Sequence, residues 1–182
     1  DGGRGEEDPD QLDWDLLVNC SDLPETDIGN GARLLKRHRE DLISIARIGM
    51  HVYDGKRWKE DVEGSTVRPI AHQVVDLIGK EPIVIEPTVS ESDEIDVGNQ
   101  AMDRLLEIEA MDKPDDATKK ERTALQVLVA AGKAALSRVG DRKAKRRRFA
   151  KTSGGTARVD AMIKEAACYI TREIGDFDTD PM

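Results

Sequence analysis

From Thr118 to about Lys151 the chain of 182 residues carries one long helical pattern. Leu125, Leu128, Val129, Ala135, Leu136 and Val139 fall on one side of a 3.6-residue repeat. A pattern of this length makes a mainly helical chain the first expectation. Gly132 and Gly140 weaken it and are expected to divide it. An acidic helix from Asp93 to Asp112, with Met102, Leu105, Leu106 and Ile108 apolar, precedes it and is broken by Pro114. After the turn Ser153-Gly154-Gly155-Thr156, a last helix runs to about Glu173, with Val159, Met162, Ile163, Ala166 and Ile170 as its apolar stripe.

The first half reads differently. Residues 1–25 are rich in acids, Gly and Pro and are read as a flexible linker, with Trp14 to Val18 as an apolar knot able to dock on a neighbour. Thr26 is a good N-cap and Asp27 suits the first turn of a helix. That helix is expected to end near His38–Arg39, burying Ile28, Ala32, Leu34 and Leu35 and exposing Asn30, Arg33, Lys36 and Arg37. Two short apolar runs follow, Leu42–Ala46 and Met50–Tyr53. Asp54-Gly55 is a tight-turn signal, and Lys56–Lys59 is the return strand. Trp58 is expected to pack on the first helix. Ser65 or Thr66 opens the next helix, with Pro69 in its first turn, Ile70, Val74, Leu77 and Ile78 buried, and Gly79 and Pro82 at its end. Residues 83–92 are read as an extended connector. The expected fold is α+β and mainly α-helical: a helix, a small antiparallel β-meander, then a helical bundle. The expected division is a linker over 1–25 and one domain over 26–182.

Composition narrows the function. With six aromatic residues the chain is a poor candidate for a stacking platform for single strands, which needs several exposed rings. No apolar run approaches the ~20 residues of a membrane span, so no membrane partner is expected. The start lacks the basic-then-apolar order of a signal peptide, and it opens on Asp1 rather than Met, which reads as a piece of something longer. Cys20 and Cys168 are too few for a disulfide framework and read as reduced thiols. Together these give a cytoplasmic expectation.

The net charge of −9 is not evenly spread. Acids dominate from Asp1 to Asp27 and from Glu86 to Glu121, and bases dominate from Lys133 to Lys151. Charges in water are screened within about 8–10 Å, so a basic segment can act locally on an acidic protein. From Arg142 to Lys151 seven of ten residues are basic: Arg142, Lys143, Lys145, Arg146, Arg147, Arg148 and Lys151. On a helix Arg142, Lys145 and Arg146 share a side, and Arg138 extends it by a turn. Such a row can contact DNA phosphates, with affinity that falls steeply with salt and carries no sequence preference. Two other readings stay open: pairing with acids of the same chain, or pairing with a second copy.

Catalytic motifs are missing. Gly55-Lys56, Gly79-Lys80 and Gly132-Lys133 lack both the upstream glycine and the following Ser or Thr of a phosphate-binding loop. Gly29-Asn30-Gly31 suggests a dinucleotide fingerprint, but position 34 is Leu34 and no strand precedes it. His38, His51, His72 and the two cysteines match no zinc spacing, so no metal or cofactor is expected within the chain. The acidic end, Asp176 to Asp180, reads as solvated charge.

Several segments in succession are nevertheless familiar. Thr26-Asp27-Ile28-Gly29-Asn30-Gly31-Ala32-Arg33-Leu34 is followed by His38, Asp41-Leu42 and Tyr53-Asp54-Gly55-Lys56-Arg57-Trp58. The basic run then ends in Phe149-Ala150-Lys151-Thr152-Ser153. The helix around Arg158, Met162 and Ala166 and the terminal Asp178-Thr179-Asp180-Pro181 come next. This order resembles the poxvirus-type N-terminal domain of phage and plasmid DNA primase-helicases, which precedes a superfamily 3 helicase ATPase. The resemblance implies DNA replication of a mobile element in a bacterial cytoplasm. It implies primase and helicase modules elsewhere in the parent chain, and ATP and magnesium used there. It assigns no catalysis to residues here. Thr26, Asp27, Asn30, Arg33, Asp54, Gly55 and Trp58 carry the resemblance and have adequate structural readings as cap, helix face, turn and core. The functional expectation is a noncatalytic accessory domain that contacts the DNA backbone through Arg138, Arg142, Lys143, Lys145, Arg146, Arg147, Arg148 and Lys151, or organises the neighbouring ATPase. The alternative is an oligomerisation module without DNA contact.

Overall fold

The structure is a computed structural model that describes residues 12–177. Among them the element order is α1 (Trp14–Ser21), α2 (Asp27–His38), β1 (Leu42–Ile45), β2 (Gly49–Tyr53), β3 (Trp58–Glu60), α3 (Val67–Lys80), α4 (Val89–Glu109), α5 (Asp116–Ser153), α6 (Thr156–Ile170) and β4 (Thr171–Arg172). The protein is α+β and mainly helical. It divides into two compact units, one of residues up to 84 together with those from 146 onward, the other of residues 85–145. The division falls within α5. The terminal Asp178 to Pro181 motif lies outside the described residues.

In the first unit β1, β2 and β3 form the expected antiparallel meander, with Leu42 opposite Val52 and Tyr53 opposite Trp58. The turn follows its chemistry: Gly55 takes φ +87°, and Asp54 Oδ1 accepts the backbone N–H of Lys56 and Arg57 at 3.0 and 2.9 Å. The sequence did not announce β4, which leaves α6 and pairs in parallel with β1, giving the order β3-β2-β1-β4. Two residues are too few for an alternation to be read. They are held because α6 delivers them beside β1.

The core of this unit gathers Leu34, Leu35, Leu42, Val52, Val67, Ala71, Val74, Ile78, Ala150, Val159, Met162, Ala166 and Ile170. Helix α2 packs chiefly on α6. Their backbones meet closely, since a Cβ at Gly31 would stand 2.8 Å from the Glu165 Cβ. That approach extends the buried side of α2 beyond Leu34 and Leu35 to polar residues. Ile28 is 57% exposed, while Asn30 and Arg33 are fully buried. Trp58 also departs from expectation: it is 42% exposed and rests against Tyr53 at 5.4 Å rather than on a helix. The stretch read as linker holds α1 in its described part, capped by Asp13, with Leu17 and Cys20 fully buried.

Helix α3 starts where expected, but its cap is remote. Thr66 makes no side-chain cap, and Asp61 instead accepts the N–H of Thr66 and Val67. A short 3-10 turn over Glu81–Ile83, containing Pro82, ends it.

The second unit is a helical hairpin of α4 and the first thirty residues of α5. Helix α4 begins earlier than expected, at Val89, because Thr88 and Glu91 form a capping box: Thr88 Oγ1 accepts the Glu91 N–H and Glu91 Oε2 accepts the Thr88 N–H. The part of the expected connector from 89 to 92 is therefore helix. Ala101, Leu105 and Val129 form the apolar seam. Gly132 does not divide α5. It faces Gly98, and a Cβ on Gly98 would lie 2.9 Å from the Gly132 Cα, so both glycines serve the close crossing of two helices.

Candidate nucleic-acid interface

A helix that carries a run of bases must turn some of them towards its own neighbours. Arg138, Arg142 and Arg146 are spaced four apart and share one side of α5. The structure engages all three with acids. In the hairpin, Arg142 donates to both carboxylate oxygens of Glu91 at 2.7 and 2.6 Å. Arg138 donates to Glu91 at 3.3 Å and to Glu94 at 2.7 Å. Glu91 thus caps α4 and receives two guanidinium groups. Hydrogen bonds from Arg142, then from the Thr88 N–H, hold its carboxyl well below the usual carboxylate range.

This arrangement sets the sign of a pH effect. A carboxylate that binds its proton less readily when folded adds stability above its unfolded pKa, ~4.3 for Glu. That contribution is lost as pH falls through the lower folded value. Glu91→Gln should lower stability near neutral pH, and the gap to the wild-type protein should narrow on acidification below about pH 4. Urea unfolding of both proteins across that range, followed by circular dichroism, checks it. A gap that widened with acid would contradict the assignment.

Arg146 lies in the first unit and is 8% exposed. It contacts Glu81, donates to Glu25 Oε1 at 3.1 Å and to the Ser21 carbonyl at 3.0 Å. Glu81 is fully buried and is held from its other side by Arg33, Nε to Oε1 at 2.8 Å and Nη2 to Oε2 at 3.1 Å. Arg33 also donates to the Pro24 and Leu23 carbonyls, each at 2.9 Å, and its guanidinium lies 5.8 Å from the centroid of the Phe149 ring. Two arginines thus face two glutamates in a closed network. Acids of the same chain thus pair with Arg138, Arg142 and Arg146; Arg146 is buried, while Arg138 and Arg142 stay partly exposed.

The rest of the run is placed differently. Arg147, Arg148 and Lys151 are exposed, and Lys143 is half-buried. None of these four has an ion pair with a described residue. Lys145 is exposed but not free. Arg147 and Lys151 are four apart on the helix, with Arg148 beside them, so the first unit presents three cations on one side of α5.

The remaining motif residues are tied into the scaffold. Thr26 Oγ1 accepts the Gly29 N–H at 3.1 Å, and Asp27 receives Arg158 at 2.7 Å. Asn30 Nδ2 donates to Ser153 Oγ at 3.0 Å. Asn30 and Arg33 on α2 therefore meet Ser153 and Phe149 at the end of α5, so two segments far apart in sequence form one joint. Asp54 pairs with Lys59 at 2.6 Å, and that contact, with the Arg57 and Lys56 N–H groups, holds its carboxyl below the usual range. Glu81 and Glu91 carry the two arginine clusters and were missed at the level of sequence. Glu81 has no local signal, because its partners lie 48 and 65 residues away.

No group of three or more His, Cys, Asp or Glu side chains among the described residues could hold a metal ion. No described helix is long and apolar enough to cross a membrane. No curated protein and no solved structure matches the chain. A family model described as D5 N terminal like matches residues 31–182, which include Arg33, Phe149 and Ser153 of the joint between α2 and the end of α5. The chain belongs to the D5 N terminal like family, the domain found in phage and plasmid primase-helicase proteins.

Proposed function

We propose that this is a noncatalytic accessory domain of a phage- or plasmid-type DNA primase-helicase, and that it contacts the DNA backbone through Arg147, Arg148 and Lys151. The supporting observation is the sorting of the basic run. One row of arginines is paired with acids of the same chain, and three neighbouring cations stand exposed with no ion pair among the described residues. Phosphate contact uses such charges and needs no base-reading geometry. Priming and ATP-driven unwinding, with their magnesium, belong to other modules of the parent protein.

The test is equilibrium binding of the full chain to labelled mixed-sequence DNA over a range of salt. Three phosphate contacts give a log–log slope near −2.7, at about 0.9 per contact on duplex DNA. Binding that is sequence-independent and falls with that slope is the expected result. Absence of binding at low salt retires the DNA reading.

A second reading has its own support. Val127, Leu128 and Leu136 on the hairpin are 66%, 40% and 53% exposed. Leu128 and Leu136, eight residues apart, share one side of the helix, and exposed apolar side chains on one side favour a protein contact. Sedimentation at low and high salt should then show self-association that persists in high salt. A monomer at both would end it.

A further inference from the structure

The surface between α2, the sheet and the end of α6 holds two adjoining hollows. One, of about 440 Å³, is lined by Arg39, Trp58, Tyr169 and Arg172 among others. The other, of about 330 Å³, is lined by Ile28, Ala32, Leu35, Lys36, Arg39 and Tyr169. Arg39 and Tyr169 belong to both, so the two run together as one groove. All of these residues lie in the first unit.

Two features make this groove unusual for an acidic chain. Tyr169 is 63% exposed and Trp58 is 42% exposed, so two large rings face solvent in a protein with six aromatic residues. Trp58 is steadied on Tyr53 with the planes tilted by 50°. Lys36, Arg39 and Arg172 are exposed, and none forms an ion pair with a described residue. Glu40 is the one acid among the lining residues. The fold brings residues 36, 39, 58, 169 and 172 to one place, which is why the sequence, with its scattered aromatics, argued against a stacking surface.

We infer that this groove binds a short segment of single-stranded DNA, with bases stacked on Trp58 and Tyr169 and phosphates held by Lys36, Arg39 and Arg172. The inference rests on the proposed role in DNA replication and assigns that role a second contact surface, separate from the α5 cations. Exposed rings stack any base, and unpaired cations beside them follow the backbone. A duplex hides its base faces, so the groove discriminates strand state rather than sequence. An apolar peptide would use Ile28 and Leu35 but would leave three cations unmatched.

The experiment measures binding of the full chain to a labelled oligothymidylate and to a duplex. Trp58→Ala and Tyr169→Ala should each weaken single-strand binding on the order of tenfold and leave duplex binding unchanged. Trp58→Phe and Tyr169→Phe keep a ring and should restore affinity, which separates stacking from loss of fold. Arg39→Gln with Arg172→Gln should reduce the salt slope by about 1.4, two contacts at ~0.7 each for single strands. The inference is overturned if both alanine variants bind the oligothymidylate like the wild-type protein while charge reversal at Arg147, Arg148 and Lys151 abolishes binding. The α5 reading would then stand without the groove. It is also overturned if the alanine variants lose single- and double-strand binding alike. Failure of the wild-type protein to bind either DNA at low salt would remove the replication reading and the groove together.

Discussion

Glu81→Gln is expected to destabilise the protein by about 3–5 kcal/mol, the cost of removing one partner from a buried ion pair. Glu81 is fully buried and carries the charge that Arg33 and Arg146 share. The amide is nearly the same size, so the variant leaves no cavity. What it leaves is two guanidinium groups facing a neutral side chain, with Glu25 as the remaining acid of the network. The burial of an unmatched charge far outweighs any hydrogen bond the amide can keep. Urea unfolding of the two proteins near neutral pH measures it. A loss below about 1 kcal/mol, the range of exposed pairs, would show that the network is hydrated and not closed.

Gly29→Ala is expected to cost about 1–3 kcal/mol, against the usual direction for glycine in a helix. A Cβ at this position meets the Pro24 carbonyl oxygen and stands 3.2 Å from Arg33 Nη1. That carbonyl accepts from Arg33, so the methyl group pushes directly on the buried network. The opposite case lies on α5, where a Cβ on Gly140 has nothing within 4 Å. Gly140→Ala should stabilise by about 1 kcal/mol through helix propensity alone. Thermal unfolding of the two variants therefore gives shifts of opposite sign. Equal shifts would mean that the chain entering α2 yields without cost.

The parts of the fold that were legible in sequence are those decided locally. The cap at Thr26, the turn at Asp54-Gly55, the end of α2 and the course of α5 each depend on neighbours within a turn or two. What was illegible depends on distant partners. The burial of Asn30 and Arg33 is decided by Ser153, Phe149 and Glu81, which the sequence places 48 or more residues away. Their polar character made them look like the solvent face of α2, and the close approach of α6 at Gly31 buries them alongside Leu34 and Leu35. The long pattern of α5 survives Gly132 because that glycine is matched by Gly98. In the basic run the residue types were legible but not their sorting. Spacing by four groups Arg138, Arg142 and Arg146 on one side, and only the position of Glu91, Glu94 and Glu81 shows that this side is paired with acids of the same chain.

That sorting is the centre of the account, and one comparison tests it most directly. The salt dependence of DNA affinity is measured for the wild-type chain, for Arg142→Gln, and for Arg147→Gln with Arg148→Gln and Lys151→Gln. Arg142→Gln should leave the slope unchanged, since that guanidinium is already occupied by Glu91. The triple variant should reduce the slope by about 2.7, at ~0.9 for each lost phosphate contact on duplex DNA. The opposite pattern, with the slope falling in Arg142→Gln and unchanged in the triple variant, would contradict the division of α5 into a structural row and a DNA-facing one.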